Sequence, residues 1–117
     1  MADIKTVGER EPADFLIAFL QKKKKGRVWQ VKRLFLLEDD LSLINGLSFA
    51  VKKQGYEIVI ARTIREANSL WADGKYDLVI LDVSLPDGSG FDFCQRIRQT
   101  SKVPVMFLTA ADEETDI

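Results

Sequence analysis

Glu38, Asp39 and Asp40 follow directly on the apolar run 34–37, and Asp82 follows directly on the apolar run 78–81. In a parallel sheet, ligands bind outside the carboxyl ends of the strands. Carboxylates gathered there repel one another and raise each other's pKa unless a cation neutralises them. Oxygen donors of this kind suit Mg2+ or Mn2+. The chain has one cysteine, Cys94, and no histidine, which excludes Cys/His zinc sites and histidine acid–base chemistry. A carboxylate beside a hard cation is a competent nucleophile toward phosphorus, because the metal draws charge off the phosphoryl oxygens while an acyl phosphate forms. Behind Asp82, residues 83–90 hold Pro86, Asp87, Gly88 and Gly90, a turn that leaves access for a small anion. Thr109 and Ala110 end another apolar run and offer a hydroxyl donor beside a small residue, which suits a phosphoryl oxygen. Asp40 has a simpler reading, the N-cap of the helix that follows it. The chemistry these types and spacings point to is phosphoryl transfer onto Asp82.

Those side chains need elements to hold them. Short β-type runs at 34–37, 57–61, 77–81 and 104–108 alternate with helix-period segments, the pattern of βαβ units around a parallel sheet. Each run is apolar at consecutive positions, as strands covered on both faces should be. Over 41–54, Ile44, Leu47 and Val51 recur on one helical face and Gly55 supplies the stop. Thr63 and Glu66 form a T-x-x-E capping box for a second helix that buries Ile64, Ala67, Leu70 and Trp71 and stops at Gly74. Phe91, Cys94 and Ile97 recur in a third helix that ends before Pro104, with Cys94 an inert core thiol. The fold class is therefore α/β with a doubly wound parallel sheet. Residues 112–117 read as the first turn of a fourth helix, so the sheet has four strands and one unprotected edge.

The chain divides into a leader, 1–32, and a compact unit, 33–117. In the leader, 12–14 open a short helix with Phe15, Leu16, Ile17, Phe19 and Leu20, followed by the basic run 22–27. Like-charge runs are usually solvated or disordered. Residues 22–33 carry +7 while 34–117 carry −6, so the compact part is acidic and its leader basic. The apolar stretch 15–20 is six residues long, against about 20 for a membrane span, and its positive charges follow it, so a soluble cytoplasmic protein without a transmembrane segment is expected. No G-x-G-x-x-G follows the first strand, which excludes a dinucleotide site, and the chain leaves no room for a winged-helix DNA-binding domain. The leader's apolar patch and the RVWQV stretch at 27–31 are candidates to cover the bare sheet edge.

Three segments, LFLLEDD (34–40), YDLVILDVSLPDGSGFDFC (76–94) and VPVMFLTA (103–110), resemble in order and spacing the receiver domains of bacterial two-component response regulators. The likeness is greatest to receivers that precede a winged-helix DNA-binding domain, hence transcription regulation. The resemblance implies a flavodoxin-like fold with strand order 2-1-3-4-5. It also implies that Asp82 is the phosphoacceptor and that Glu38, Asp39, Asp82 and the backbone carbonyl of Ser84 hold Mg2+. Thr109, with Ala110 beside it, would be the switch hydroxyl facing the phosphoryl group, and the donor would be a phosphohistidine on a partner sensor histidine kinase. A full receiver continues through a complete fourth helix, a fifth strand with an aromatic switch residue and a following lysine, and a last helix. All of these are missing here, and Lys102 lies at the wrong end of the sheet to replace that lysine. The expected fold is thus an incomplete receiver, with a second copy or another chain as a candidate to complete the sheet. The expected function is phosphorelay signalling through Asp82. The alternative is a truncated interaction module that is not phosphorylated, or a non-functional receiver fragment. An enzyme is not expected, since aspartyl phosphatases use D-x-D and Ser84 occupies the position of the acid.

Overall fold

The computed structural model describes residues 4–8, 33–71 and 75–109. The helix expected within 13–20, the basic run 22–27, the RVWQV stretch, Gly74, Ala110 and the helical turn at 112–117 lie outside the described residues. The elements run β1 (Ile4–Gly8), β2 (Arg33–Leu37), α1 (Leu41–Lys53), β3 (Glu57–Ala61), α2 (Ile64–Leu70), β4 (Leu78–Asp82), β5 (Ser84–Leu85), β6 (Gly88–Ser89), α3 (Gly90–Arg98) and β7 (Val105–Thr109). The main sheet has the order β1-β7-β4-β2-β3, and every neighbouring pair in it is parallel. The doubly wound parallel sheet expected from the alternation of apolar runs is therefore present.

Its central strands are apolar at successive positions because both faces are covered. Phe35, Leu37, Val79, Leu81, Val105 and Phe107 pack with Ala67 of α2 and with Phe93, Cys94 and Ile97 of α3. The alternate residues, Leu34, Leu36, Leu78, Ile80, Met106 and Leu108, share the other core with Ile44, Leu47 and Val51 of α1. A side-chain period of two sends neighbours to opposite faces, so one strand feeds both cores. Phe35 anchors the first, with Trp71 edge-on at 5.3 Å and Phe93 stacked at 5.8 Å. Such pairs contribute roughly 0.5–1.5 kcal/mol each beyond area burial.

Local signals set the helix ends. Asp40 Oδ1 accepts hydrogen bonds from Ser42 N at 2.9 Å and Leu43 N at 3.3 Å, which makes Asp40 the N-cap of α1 as its position suggested. Asp40→Ala should cost about 1 kcal/mol by removing that cap, read as a lower urea midpoint at unchanged slope. Gly55 holds φ +91° just past the end of α1, where a side chain would be strained. Thr63 caps α2 through a hydrogen bond from Glu66 N at 3.0 Å.

Three expectations need correction. The sheet does not stop at four strands with a bare edge: β1, from the leader, pairs with β7 over five residues, Ile4 opposite Val105 through Gly8 opposite Thr109. The fifth place in the sheet is thus filled from the N-terminal side. Phe91 is 53% exposed, and the buried stripe of α3 is Gly90, Phe93, Cys94 and Ile97. Steps of i, i+3, i+4 and i+7 track one helical face, whereas successive steps of three, as from Phe91 to Cys94 to Ile97, drift off it. Leu70 is also exposed, because Ile64, Ala67 and Trp71 follow the packed face at i, i+3 and i+7 and Leu70 stands off it. Cys94 is buried, and burial pushes its thiol above the ordinary value while Arg98 pulls it partly back, as suits an inert core residue.

Candidate functional site

β2 and β4 are adjacent, with Leu37 opposite Leu81, so the residues following Leu37 meet Asp82, the last residue of β4, at one carboxyl-terminal mouth. Glu38, Asp39 and Asp82 can each offer a carboxylate oxygen within 4.8 Å of the others. Glu38 is 1% exposed. Its Oε2 accepts hydrogen bonds from the N–H of Asp39 at 3.0 Å and of Asp40 at 2.9 Å, and its own N–H donates to the Ala61 carbonyl at 3.0 Å. Those bonds hold the turn in which Asp39 stands beside Asp82.

Burial lifts the Asp82 carboxyl above its ordinary value, and the Asp39 charge adds to the rise. Backbone N–H groups of Ser84 and Val83 donate to Asp82 and act the other way, as does a hydrogen bond shared with Glu38. Three carboxyl groups so close, one of them buried, fit a small divalent cation better than they fit one another. The acidic set read from the sequence is therefore brought together, apart from Asp40, which is spent on its helix. Ser84 presents its backbone at the same place, at the start of the small β5–β6 ladder. Thr109 ends β7 one residue beyond Leu108, the partner of Asp82, so its backbone reaches the mouth, while Ala110 lies outside the described residues.

Three residues outside the expected acidic set shape this mouth. The N–H of Gly90 donates to the Val83 carbonyl at 2.8 Å, and a Cβ on Gly90 would fall 1.9 Å from the backbone oxygen of Asp82. Only glycine lets α3 begin that close. Asp87, in the turn between β5 and β6, accepts from Ile64 N at 2.7 Å and Arg65 N at 3.0 Å. The loop behind Asp82 is thereby fastened to the first turn of α2, and these N–H groups hold the Asp87 carboxyl below its ordinary value. The Arg62 guanidinium reaches the rim, donating to the Asp39 carbonyl at 3.2 Å. The Pro and Gly around Asp87 announced a turn, but its helix-capping contact needs α2, far off in sequence.

A carboxyl group lowered on folding stabilises above its unfolded pKa and loses that contribution as pH falls through the folded value. Asp87→Asn should therefore lower thermal stability at pH 7, and its gap from wild type should narrow as the pH is taken below about 4. A gap independent of pH would count against the capping contact.

Residues 34–117 match the family model described as the response regulator receiver domain. The transcriptional regulatory protein AfsQ1 of Streptomyces coelicolor is 34% identical over 84 residues, which are 72% of this chain and 37% of that protein. The chain thus spans little more than a third of that relative. The non-phosphorylated HemR receiver domain of Leptospira biflexa superposes with a TM-score of 0.63 at 36% identity, covering 73% of this chain and 72% of that one. The response regulator TrrA of Thermotoga maritima, solved in complex with Mg2+–BeF, gives a TM-score of 0.63 at 32% identity over 74% of this chain and 76% of that one. TrrA was also solved in complex with the histidine kinase ThkA, with a TM-score of 0.59 at 34% identity over 68% of this chain and 69% of that one. Relatives of this kind are signalling and transcription regulators rather than enzymes, and no helix among the described residues is long and apolar enough to cross a membrane. Sequence blocks, sheet order and acidic mouth agree, and the chain belongs to the response regulator receiver family.

Proposed function

We propose that this chain takes a phosphoryl group onto Asp82 from a phosphohistidine on a partner sensor histidine kinase and so serves phosphorelay signalling. The observation that carries the reading is the convergence of Glu38, Asp39 and Asp82 within 4.8 Å at the carboxyl ends of β2 and β4. In the transfer, an Asp82 carboxylate oxygen forms a bond to phosphorus as the P–N bond of the phosphohistidine breaks and its electron pair returns to the imidazole. N–H groups of Ser84 and Val83 orient the Asp82 carboxylate. Gly90 keeps the approach to its backbone open, and the Asp87 clamp holds the loop still.

Glu38, Asp39 and Asp82, with the carbonyl of Ser84, are the groups that would hold Mg2+ or Mn2+. When bound, the cation supplies charge neutralisation for the acidic mouth and for the phosphoryl oxygens. Thr109 is the hydroxyl proposed to meet the phosphoryl group, with Ala110 next to it. Kinase complexes of the TrrA kind support the choice of partner, and a cytoplasmic location follows from that partnership.

A second reading has one specific observation in its favour. Gly8 ends β1 opposite Thr109, and among the described residues the strand beside β7 carries one cation, Lys5, which pairs with Met106 towards the other end of the sheet. A module that binds its kinase without accepting phosphate would look like this. Incubation with a small phosphodonor and Mg2+ separates the two by intact mass: addition of one phosphoryl group to wild type and none to Asp82→Asn supports the switch. No addition to either leaves the binding module.

A further inference from the structure

We propose that Arg62 is a positioning residue of the acidic mouth: its guanidinium pins the peptide unit that follows Asp39 and so fixes the direction in which the Asp39 carboxylate meets a divalent cation. The inference rests on the proposed function, since it gives this residue a part in holding the cation that serves phosphoryl transfer.

Asp39 stands half-buried in the turn between the end of β2 and Asp40, the cap of α1, with no sheet ladder to hold it. Peptide units are planar, so the direction of a side chain is set by the two planes that flank its residue. Both planes at Asp39 are held. In the plane before it, the N–H of Asp39 donates to Glu38 Oε2 at 3.0 Å. The plane after it is gripped at both ends: the N–H of Asp40 donates to the same Oε2 at 2.9 Å, and the Asp39 carbonyl accepts from Arg62 Nη2 at 3.2 Å. Glu38 is buried and acts from inside, while Arg62 is exposed and acts from outside. Without Arg62, this plane keeps one attachment, and that one is made by a carboxylate which is itself a proposed cation ligand.

The end of β3 aims Arg62 at its target. Leu37 pairs with Ala61, and the N–H of Glu38 donates to the Ala61 carbonyl at 3.0 Å, so Arg62, the next residue, leaves β3 level with the acidic turn. Its own N–H donates to Glu66 Oε1 at 2.7 Å, and Thr63 Oγ1 accepts from the N–H of Glu66 at 3.0 Å. The capping box thus starts α2 and also fixes the backbone from which Arg62 reaches across to the acidic turn. Arginine suits the task, because a planar guanidinium on a long stem keeps its charge and offers several donors, and a charged donor strengthens a hydrogen bond. Among the described residues no other cation can take its place. The basic last turns of α1 and α3 lie toward the amino ends of the strands, as do Lys5, Arg33, Lys75 and Lys102. Arg65, the remaining cation at the carboxyl ends, acts on Asp87.

Charge and anchor have opposite signs here. A guanidinium near a divalent cation repels it, so loss of the charge alone would tighten binding. Loss of an anchor behind a metal ligand loosens it, typically by about 10- to 100-fold.

Magnesium titration of the full chain, followed by amide NMR, tests this with Arg62→Met, which keeps the aliphatic stem and removes the guanidinium. The Mg2+ dissociation constant should rise about tenfold, the low end of that range because the partner is exposed. In an Asp39→Asn background the same substitution should change it by less than about twofold, since the effect runs through Asp39. An unchanged or smaller constant, or a tenfold rise that persists in the Asp39→Asn background, overturns the proposal. Failure of wild type to bind Mg2+ would instead overturn the proposed cation site, and a metal-free measurement then decides the role of Arg62 alone. In Arg62→Met the Asp39 and Asp40 amides should exchange at least about fivefold faster while those of β2 keep their rates. Equal exchange at Asp39 and Asp40 in both proteins also overturns it.

Discussion

Gly90→Ala is expected to cost on the order of 3 kcal/mol and to blunt any response of the site to divalent cations. The added Cβ would lie 1.9 Å from the Asp82 oxygen and 3.0 Å from its carbonyl carbon, both backbone atoms. No side chain can rotate out of the way, so either α3 withdraws or β4 bends at its last residue. Overpacking of this kind costs about 1–3 kcal/mol where neighbours can yield, and here the neighbour is the backbone that carries Asp82. Urea unfolding should show the loss. Because the displaced atoms belong to Asp82 and Val83, the cation response should weaken by more than stability alone explains. A variant as stable and as responsive as wild type would mean that α3 does not start against Asp82.

The second large effect is at Asp82 itself. Its carboxyl lies above the ordinary value, chiefly through burial and then through Asp39. Between the unfolded and the raised folded pKa, the native state binds more protons than the unfolded one, so stability falls as pH rises through that window. Above the raised folded value the penalty is fully present. Asp82→Asn removes the charge while keeping the shape, and should melt above wild type when no divalent cation is added. Magnesium should reverse the ranking. A ligand at a hundred times its dissociation constant stabilises by about 2.7 kcal/mol, which for a domain of this size is a rise on the order of 10 °C. Wild type should show that rise and Asp82→Asn should lose most of it. Equal rises in both proteins would place the cation elsewhere.

The acidic mouth was readable because each carboxylate follows directly on an apolar run, and a strand that ends in a buried face leaves its next residue at the rim. Glu38, Asp39 and Asp82 needed no more than that, given adjacent parallel strands. Other parts depend on contacts that no local pattern carries. Gly90 reads as turn flexibility, but its purpose is the close passage of α3 over Asp82. Asp87 reads as a turn residue, but its carboxylate caps a helix whose first N–H groups lie more than twenty residues upstream. Phe91 and Phe93 are two places apart on one helix, and choosing the wrong one shifts the apparent face by more than a quarter turn. β1 was the hardest to see. Five residues interrupted by Lys5 make a poor apolar run, and the strand that gives them a reason to be extended lies at the other end of the chain.

The most direct test of phosphoacceptor chemistry is an amide NMR spectrum of the full chain recorded alone, with Mg2+, and then with beryllofluoride, a mimic of the aspartyl phosphate. The site described above predicts dispersed peaks in which Glu38, Asp39, Asp82, Val83 and Ser84 shift on adding Mg2+, with Thr109 joining them when beryllofluoride is added. Peaks at those residues that stay in place through both additions would contradict the assignment of Asp82 as phosphoacceptor.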